Sequence, residues 1–203
     1  MNKIIQVSVV FFFVAVVTNS FFFFRSSKSS LINKYKNKDK LIVFGDIGYY
    51  NNTLRKLIQV GKSFMNNNDK MILMGDNFYD NGVSGIDDDL WSVYKIFFKD
   101  IPSTNIYSIM GNHDYHKNPK CQINNNYWST PNFYYKLNFD NVDLFFIDTV
   151  QLYPGHCNIT TSRIEHIHNK NINTIEYDQL TWLDNELSTS KKKKIVFGHY
   201  PII

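Results

Sequence analysis

Four short apolar runs in this chain each end in a glycine that is followed by Asp, Asn or His. The runs and their polar ends are Leu41–Phe44 with Gly45–Gly48, Met71–Met74 with Gly75–Tyr79, Ile106–Met110 with Gly111–Asp114, and Ile195–Phe197 with Gly198–Pro201. Apolar runs of this length bounded by glycine predict buried strands. Because ligands bind at the carboxyl ends of strands in α/β sheets, we expect the four polar ends to converge at one edge.

The segments between these runs alternate between helix and strand patterns. Helices are predicted near Thr53–Met65, Asp89–Phe98 and Tyr177–Leu187, and Tyr134–Phe139 with Val142–Ile147 predicts a hairpin. Strands and helices that alternate around one hairpin predict an α/β fold, a sandwich of mixed sheets flanked by helices. The chain has no internal repeat and no sign of a second domain.

The N-terminal residues 1–24 are predicted to lie outside this domain. Ile4–Phe24 is almost wholly apolar after a short basic start, and 21 residues of helix span about 31 Å. The segment is therefore either a cleaved signal peptide, which its polar residues favour, or an uncleaved signal-anchor. Both place the following domain in the secretory pathway, secreted or lysosomal, with a membrane partner only if the segment is uncleaved. Residues 25–40 are predicted to be a polar linker and residues 41–203 the folded domain.

Composition narrows the classes of partner. The net charge of +4 is too small to indicate a nucleic-acid partner, and Lys191–Lys194 is interpreted as a solvated helix end. Two sequons, at Asn51 and Asn158, predict a glycoprotein. Cys121 and Cys157 could form one disulfide, which the sequence alone does not decide.

The side chains at the strand ends are those that bind hard cations. Asp46 and Asp76 offer carboxylate oxygens, and a carboxylate can bridge two ions. Tyr79 follows Asp76 by three residues, so both can reach one ion, and a phenolate oxygen favours a trivalent metal such as iron(III). Taken alone, Asp46 could instead be a helix N-cap.

The third and fourth ends add nitrogen and amide ligands. Asn112, His113 and Asp114 are three consecutive polar residues after an apolar strand, which is poor for packing and good for catalysis. His199 alone could equally be a core histidine. The combination of four such ends is what predicts a metal site.

Together these blocks resemble the purple acid phosphatases, specifically the small tartrate-resistant type within the calcineurin-like metallophosphoesterases. The motifs are Gly45-Asp46-x-Gly48, Gly75-Asp76-Asn77-x-Tyr79, Gly111-Asn112-His113-Asp114 and Gly198-His199-Tyr200-Pro201. The resemblance extends through Asn81–Val83, Ser129–Leu137, Ile147–Val150 and Gln179–Leu183, and spans nearly everything from Leu41 to Ile203. Tyr79 is the position that separates the purple enzymes from other members of the superfamily.

The resemblance implies a role for each residue. Asp46 and Tyr79 would hold iron(III), and Asp76 would bridge to a second, divalent ion (Fe, Zn or Mn). Asn112 and His199 would bind that second ion, His113 would face the substrate, and Asp114 would orient its loop. The implied enzyme is a monomeric acid phosphatase that hydrolyses phosphate monoesters by attack of a metal-bound hydroxide.

The chain departs from the family pattern in two places. Ile47 stands where the small enzymes usually carry an aromatic residue. The family also has a Gly-His-x-His block after the His199 block, and the sequence ends at Ile203, so we expect the domain to lack its C-terminal part. Glu165–His168 has the His-x-His spacing but is interpreted as a solvated loop.

Two other functions remain open at this stage. The apolar N-terminal segment would also suit a membrane-anchored, non-catalytic scaffold with a phosphatase fold. A phosphodiesterase of the same superfamily, with two divalent metals, would share most of the ligands. The natural substrate is not readable from the sequence.

Overall fold

The computed structural model describes residues 39–201, which form two three-stranded sheets with helices around them. The predicted signal peptide or anchor (residues 1–24) and all but the last two residues of the predicted linker (residues 25–40) lie outside the described residues. Within residues 39–201, no helix is long and apolar enough to span a bilayer.

The first sheet is parallel and has the order β1-β2-β3. Its strands are β1 (Leu41–Phe44), β2 (Lys70–Met74) and β3 (Ile106–Ile109), connected through helices α1 (Asn52–Ser63) and α2 (Leu90–Phe98). The central strand is buried on both faces, since Met71, Ile72 and Leu73 are all 0% exposed. This explains why β2 is a continuous apolar run rather than an alternating one.

The second sheet is mixed. Strands β4 (Tyr135–Phe139) and β5 (Val142–Phe146) form an antiparallel hairpin, and β6 (Lys193–Phe197) pairs parallel to β5. The remaining α-helices of residues 39–201 are α3 (Asn112–Tyr115), α4 (Thr149–Leu152), α5 (Thr161–His168) and α6 (Ile172–Thr189). The predicted α/β sandwich with helices on its flanks is confirmed.

Strand alternation divides the apolar side chains between separate cores. Ile72 of β2 packs with Leu144 and Phe146 of the second sheet, whereas its neighbours Met71 and Leu73 pack with the aromatic residues of α2. A third core lies under α3, α4 and α5 and contains Met110, Tyr115, Phe133, Val150 and Ile164. The two sheets are also joined by the Tyr135 hydroxyl, which donates to the backbone oxygen of Ser108 at 2.8 Å.

One local prediction was wrong. Glu165–His168 is the last turn of helix α5, not a solvated loop. The helix begins where Thr160 Oγ1 accepts from the Arg163 backbone N–H at 3.2 Å, and it buries Ile164 and Ile167 one turn apart. His168 is therefore held on the same helix as this apolar pair, while His166 is exposed.

Two element boundaries differ from the prediction, and the structure answers the question left open for the cysteines. Strand β6 begins at Lys193, so half of the basic cluster Lys191–Lys194 lies in a strand, although its side chains are exposed. Helix α6 begins at Ile172, five residues before its predicted start, because the Asn171 side chain caps it. Cys121 and Cys157 are both free thiols.

Candidate metal centre

The seven side chains predicted from the strand ends are brought together by both sheets. Asp46 follows β1, Asp76 and Tyr79 follow β2, His199 follows β6, and Asn112, His113 and Asp114 begin α3 directly after β3. Ligand atoms of Asp46, Asp76 and His199 all lie within 4.8 Å of one another. The strand ends therefore converge, but they come from two sheets and not from one edge of a single sheet as predicted.

The backbone of the first two loops is held in an unusual conformation. Asp46 and Asp76 have φ angles of 53° and 52°, a left-handed region that residues with a side chain seldom adopt. Such angles persist only when neighbouring structure fixes them. Here the Gly48 N–H donates to the Asp76 carbonyl at 2.9 Å, and the Tyr79 N–H donates to the Gly48 carbonyl at 3.3 Å.

Asp76 is the central residue of the cluster and is only 3% exposed. Its Oδ2 accepts from the Tyr79 hydroxyl at 2.9 Å, and that hydroxyl also lies 3.0 Å from Asp46 Oδ1. Its Oδ1 accepts from the His113 backbone N–H at 3.0 Å and lies 3.4 Å from His199 Nε2. One carboxylate thus separates an oxygen-rich pair, Asp46 and Tyr79, from a second group that contains His199.

The second group is arranged to present lone pairs. His199 Nδ1 lies 2.8 Å from the Met74 carbonyl oxygen, which can only accept, so Nδ1 carries the ring proton. In the neutral ring Nε2 then has a lone pair, and it faces Asn112 Oδ1 at 3.2 Å and Asp76 Oδ1 at 3.4 Å. Three such atoms repel one another unless a proton or a cation lies between them, so the donor set fits a divalent ion.

Tyr79 is held as a neutral phenol in the absence of a cation. Burial, together with the negative charges of Asp76 and Asp46, raises the pKa of Tyr79 far above its ordinary value. Its single proton cannot satisfy both carboxylates at once. A cation that binds Tyr79 as phenolate would displace this proton and offset the negative charges of the Asp46 and Asp76 carboxylates. The Tyr49 and His113 rings, each with its centroid 4.5 Å from that of Tyr79, fix the phenol ring in place.

His113 lies at the open side of the cluster, with 32% of its side chain exposed. Its Nδ1 contacts the Asp80 carbonyl oxygen and therefore carries a proton. Its Nε2 lies 3.9 Å from Asp76 Oδ2 and is directed to the same side as the ligands. A histidine that is fixed through one nitrogen and has about a third of its side chain exposed can exchange a proton with a molecule bound at the cluster.

Asp114 lies behind the cluster and does not contribute a ligand atom to it. It is fully buried and accepts from the backbone N–H of Gly111 at 2.9 Å, the N–H of Asn77 at 3.2 Å, and Gln122 Nε2 at 2.9 Å. Burial raises the pKa of Asp114 to about 6, with the Asp76 charge acting in the same direction. Asp114 therefore ties the Asp76 loop to α3. Asn77 and Gln122, to which the sequence assigned no role, bond to Asp114 and to each other. Asn77 lies within the motif Gly75–Tyr79 and could have been identified from it.

Comparison with known proteins agrees with this geometry. The family model of calcineurin-like phosphoesterases matches residues 40–203. Tartrate-resistant acid phosphatase type 5 of Rattus norvegicus is 31% identical over 148 residues, which cover 66% of this chain and 44% of that protein. The protein of the same name from Homo sapiens is 28% identical, with 66% and 45% covered. Purple acid phosphatase 3 of Arabidopsis thaliana is 31% identical, with 66% and 39% covered.

The chain spans less than half the length of these curated relatives, whereas the family match runs from the first strand to the last residue. The matched region contains all four strand ends and every side chain of the cluster. The chain belongs to the calcineurin-like phosphoesterases.

Proposed function

We propose that this chain is the catalytic part of an acid phosphatase that hydrolyses phosphate monoesters at a site for two cations. The observation that carries the proposal is the position of the Asp76 carboxylate, which contacts Tyr79 through one oxygen and faces His199 through the other. The names of the relatives, all acid phosphatases, support the choice of reaction.

The two groups of side chains suit different ions. Asp46, Tyr79 and one oxygen of Asp76 would hold iron(III), because all three donors are hard anionic oxygens once the phenol is deprotonated. Asn112, His199 and the other oxygen of Asp76 would hold a divalent ion, Fe, Zn or Mn. When bound, such a pair supplies Lewis-acid activation of water and neutralises charge on the phosphoryl group.

The protein's own contribution to the reaction is positioning and proton transfer. The contact of His113 Nδ1 with the Asp80 carbonyl orients the ring, so Nε2 is the atom that exchanges a proton: it accepts one in the neutral ring, and in the imidazolium form it donates one to a phosphoryl oxygen or to the departing alcohol. Asp114 keeps α3, and with it His113 and Asn112, registered against the Asp76 loop. A secretory location, secreted or lysosomal, remains a prediction from the N-terminal segment.

The proposal is tested with metal-free protein reconstituted with iron(III) and zinc. We expect metal-dependent hydrolysis of p-nitrophenyl phosphate at acid pH, and a fall in kcat of about 10²- to 10⁴-fold for His113→Ala with metal content unchanged. His166→Ala is the matched control, because His166 is an exposed histidine on α5. Absence of metal-dependent hydrolysis would refute the proposal, and preference for bis-p-nitrophenyl phosphate would favour a phosphodiesterase.

A further inference from the structure

A buried polar network lies at the end of β5, next to the metal centre. Asp148, two residues after the last residue of β5, is 0% exposed. Its Oδ1 accepts from the backbone N–H groups of Val150 at 3.0 Å and Gln151 at 3.2 Å. Its Oδ2 accepts from the Tyr115 hydroxyl at 2.7 Å and from Gln151 Nε2 at 3.2 Å. The carboxylate is therefore satisfied by four donors without solvent.

The first arm of this network holds helix α3. Tyr115 is the last residue of α3, whose first residue is Asn112 and second is His113. Because α3 is a single turn, a bond to Tyr115 fixes the whole helix relative to β5. The Tyr115 hydroxyl also lies 3.1 Å from His168 Nε2, so α5 contacts the same hydroxyl. His168, which was predicted to lie in a solvated loop, therefore belongs to this network.

The second arm holds the loop that carries His199. The next residue, Thr149, is 5% exposed, and its Oγ1 accepts from the Tyr200 backbone N–H at 2.8 Å. Its methyl carbon is packed against Gly198, where an added Cβ would lie 2.7 Å from it. Thr149 is thus in contact with the residues on both sides of His199.

Helix α6 fixes the position of the network itself. Gln179 is 0% exposed, its Oε1 accepts from the Asp148 backbone N–H at 2.7 Å, and its Nε2 donates to the Asp148 carbonyl at 3.2 Å. Helix α6 therefore holds the Asp148 backbone in place, while the side chains of Asp148 and Thr149 bond to α3 and to the His199 loop respectively. Among residues 39–201, none of their hydrogen bonds reaches Asp46 or Tyr79.

We propose that Asp148 and Thr149 are positioning residues for one cation only, the divalent ion held by Asn112 and His199. The inference rests on the proposed function, because it assumes that this cluster binds cations. Asp148 acts through Tyr115 on Asn112, and Thr149 acts through Tyr200 on His199. Together they set the 3.2 Å separation between the Asn112 and His199 ligand atoms.

The energetic reason is that each arm is a buried hydrogen bond. A buried donor that loses its acceptor, or a buried acceptor that loses its donor, is costly. Groups that orient metal ligands typically change metal affinity by about 10- to 100-fold when they are removed. A role in folding alone would instead weaken both cation positions together.

The experiment uses the full 203-residue chain and measures the two positions separately. Iron(III) is added first and followed by the tyrosinate-to-iron absorption band of Tyr79, and zinc is then titrated by calorimetry. Tyr115→Phe and Thr149→Val each remove one hydroxyl while keeping the side-chain shape. Tyr135→Phe is the matched control, because it deletes a buried hydroxyl bonded to Ser108 in the core between the sheets.

We expect Tyr115→Phe and Thr149→Val to raise the zinc dissociation constant about 10- to 100-fold with the absorption band retained. Tyr135→Phe should change neither, and Thr149→Ser, which restores the hydroxyl, should restore zinc affinity. Unchanged zinc affinity in Tyr115→Phe and Thr149→Val overturns the inference. So does equal weakening of both positions, or failure of Thr149→Ser to rescue. A wild-type chain that binds neither ion would instead refute the proposed function.

Discussion

Gly111→Ala should disable the metal centre without straining its own backbone. Gly111 has φ −107° and ψ 178°, which any residue can adopt, so the substitution acts only through the added Cβ. That carbon would lie 2.9 Å from Asp76 Cγ and closer still to the Asp76 Oδ1 and backbone N. An ordinary contact begins at 3.4 Å, so Cγ has to withdraw by about 0.5 Å and the nearer atoms by more. The shift of the nearer atoms, which include the ligand oxygen Oδ1, exceeds the tolerance of a preorganised site, which is about 0.5 Å.

Overpacking of this kind costs about 1–3 kcal/mol of folding free energy, and displacement of Asp76 should lower affinity at both cation positions by about 100-fold. Urea unfolding and calorimetric titration with zinc measure the two effects. Gly85→Ala is the matched control, because nothing lies within 4 Å of the Cβ it would add. If Gly111→Ala binds zinc with the same affinity as Gly85→Ala, the Gly111 and Asp76 loops do not approach each other as closely as described.

Three further changes test other parts of the structure. Tyr79→Phe should abolish the tyrosinate-to-iron absorption band, and a band that persists would assign the iron ligand elsewhere. Arg163 donates to three backbone carbonyls at and after the end of α3, including that of Tyr115 at 3.1 Å. Arg163→Gln should therefore lower the free energy of unfolding by about 1–3 kcal/mol in urea, and no change would show that these bonds are not formed. Burial raises the pKa of Asp148 from 3.8 to about 7, so the native state holds a proton that the unfolded chain releases. Its contribution to stability is therefore present at low pH and lost as the pH rises through about 7. Burial lowers the pKa of His168 to about 4, which acts in the opposite direction, with stability lost as the pH falls from about 6.5 to 4. Asp148→Asn should remove about 3 kcal/mol of the stability difference between pH 5 and pH 8, and an unchanged pH profile would contradict the assignment.

The strand ends were predictable because their signal is local. Each apolar run and its glycine stand next to the ligands they position, so Asp46, Asp76, Asn112 and His199 could be named from the sequence. The carboxyl-edge rule then required only that the strands be parallel and adjacent, which the first sheet satisfies. The prediction of a single edge was wrong for His199, whose strand β6 belongs to the second sheet, and the packing of the two sheets brings it to the other ligands.

The supporting contacts were not predictable because they depend on tertiary neighbours. In the sequence His168 looks like a residue of a solvated loop and Gln179 like a polar helix residue, and only the packing of α5 and α6 brings them to Tyr115 and Asp148. Asp148 follows an apolar run, as the ligand residues do, but its run ends without the glycine that marked the others. A search for acidic residues after any predicted strand would have found it.

The backbone conformation of the ligand residues could likewise not be predicted from the sequence. The left-handed angles of Asp46 and Asp76 follow from hydrogen bonds between the two loops, not from a glycine at those positions. The loop predicted around Glu165 failed for a related reason. Helix α5 is short and mostly polar, and its identity as a helix depends on the two isoleucines that it buries.

The most direct test of a shared two-cation site is the metal content of wild-type protein and of Asp76→Asn after loading with iron(III) and zinc. Because Asp76 lies between Tyr79 and His199, the wild-type chain should bind about two equivalents and Asp76→Asn should lose affinity for both ions. Binding of both ions by Asp76→Asn at wild-type affinity would show that the strand ends do not form one site.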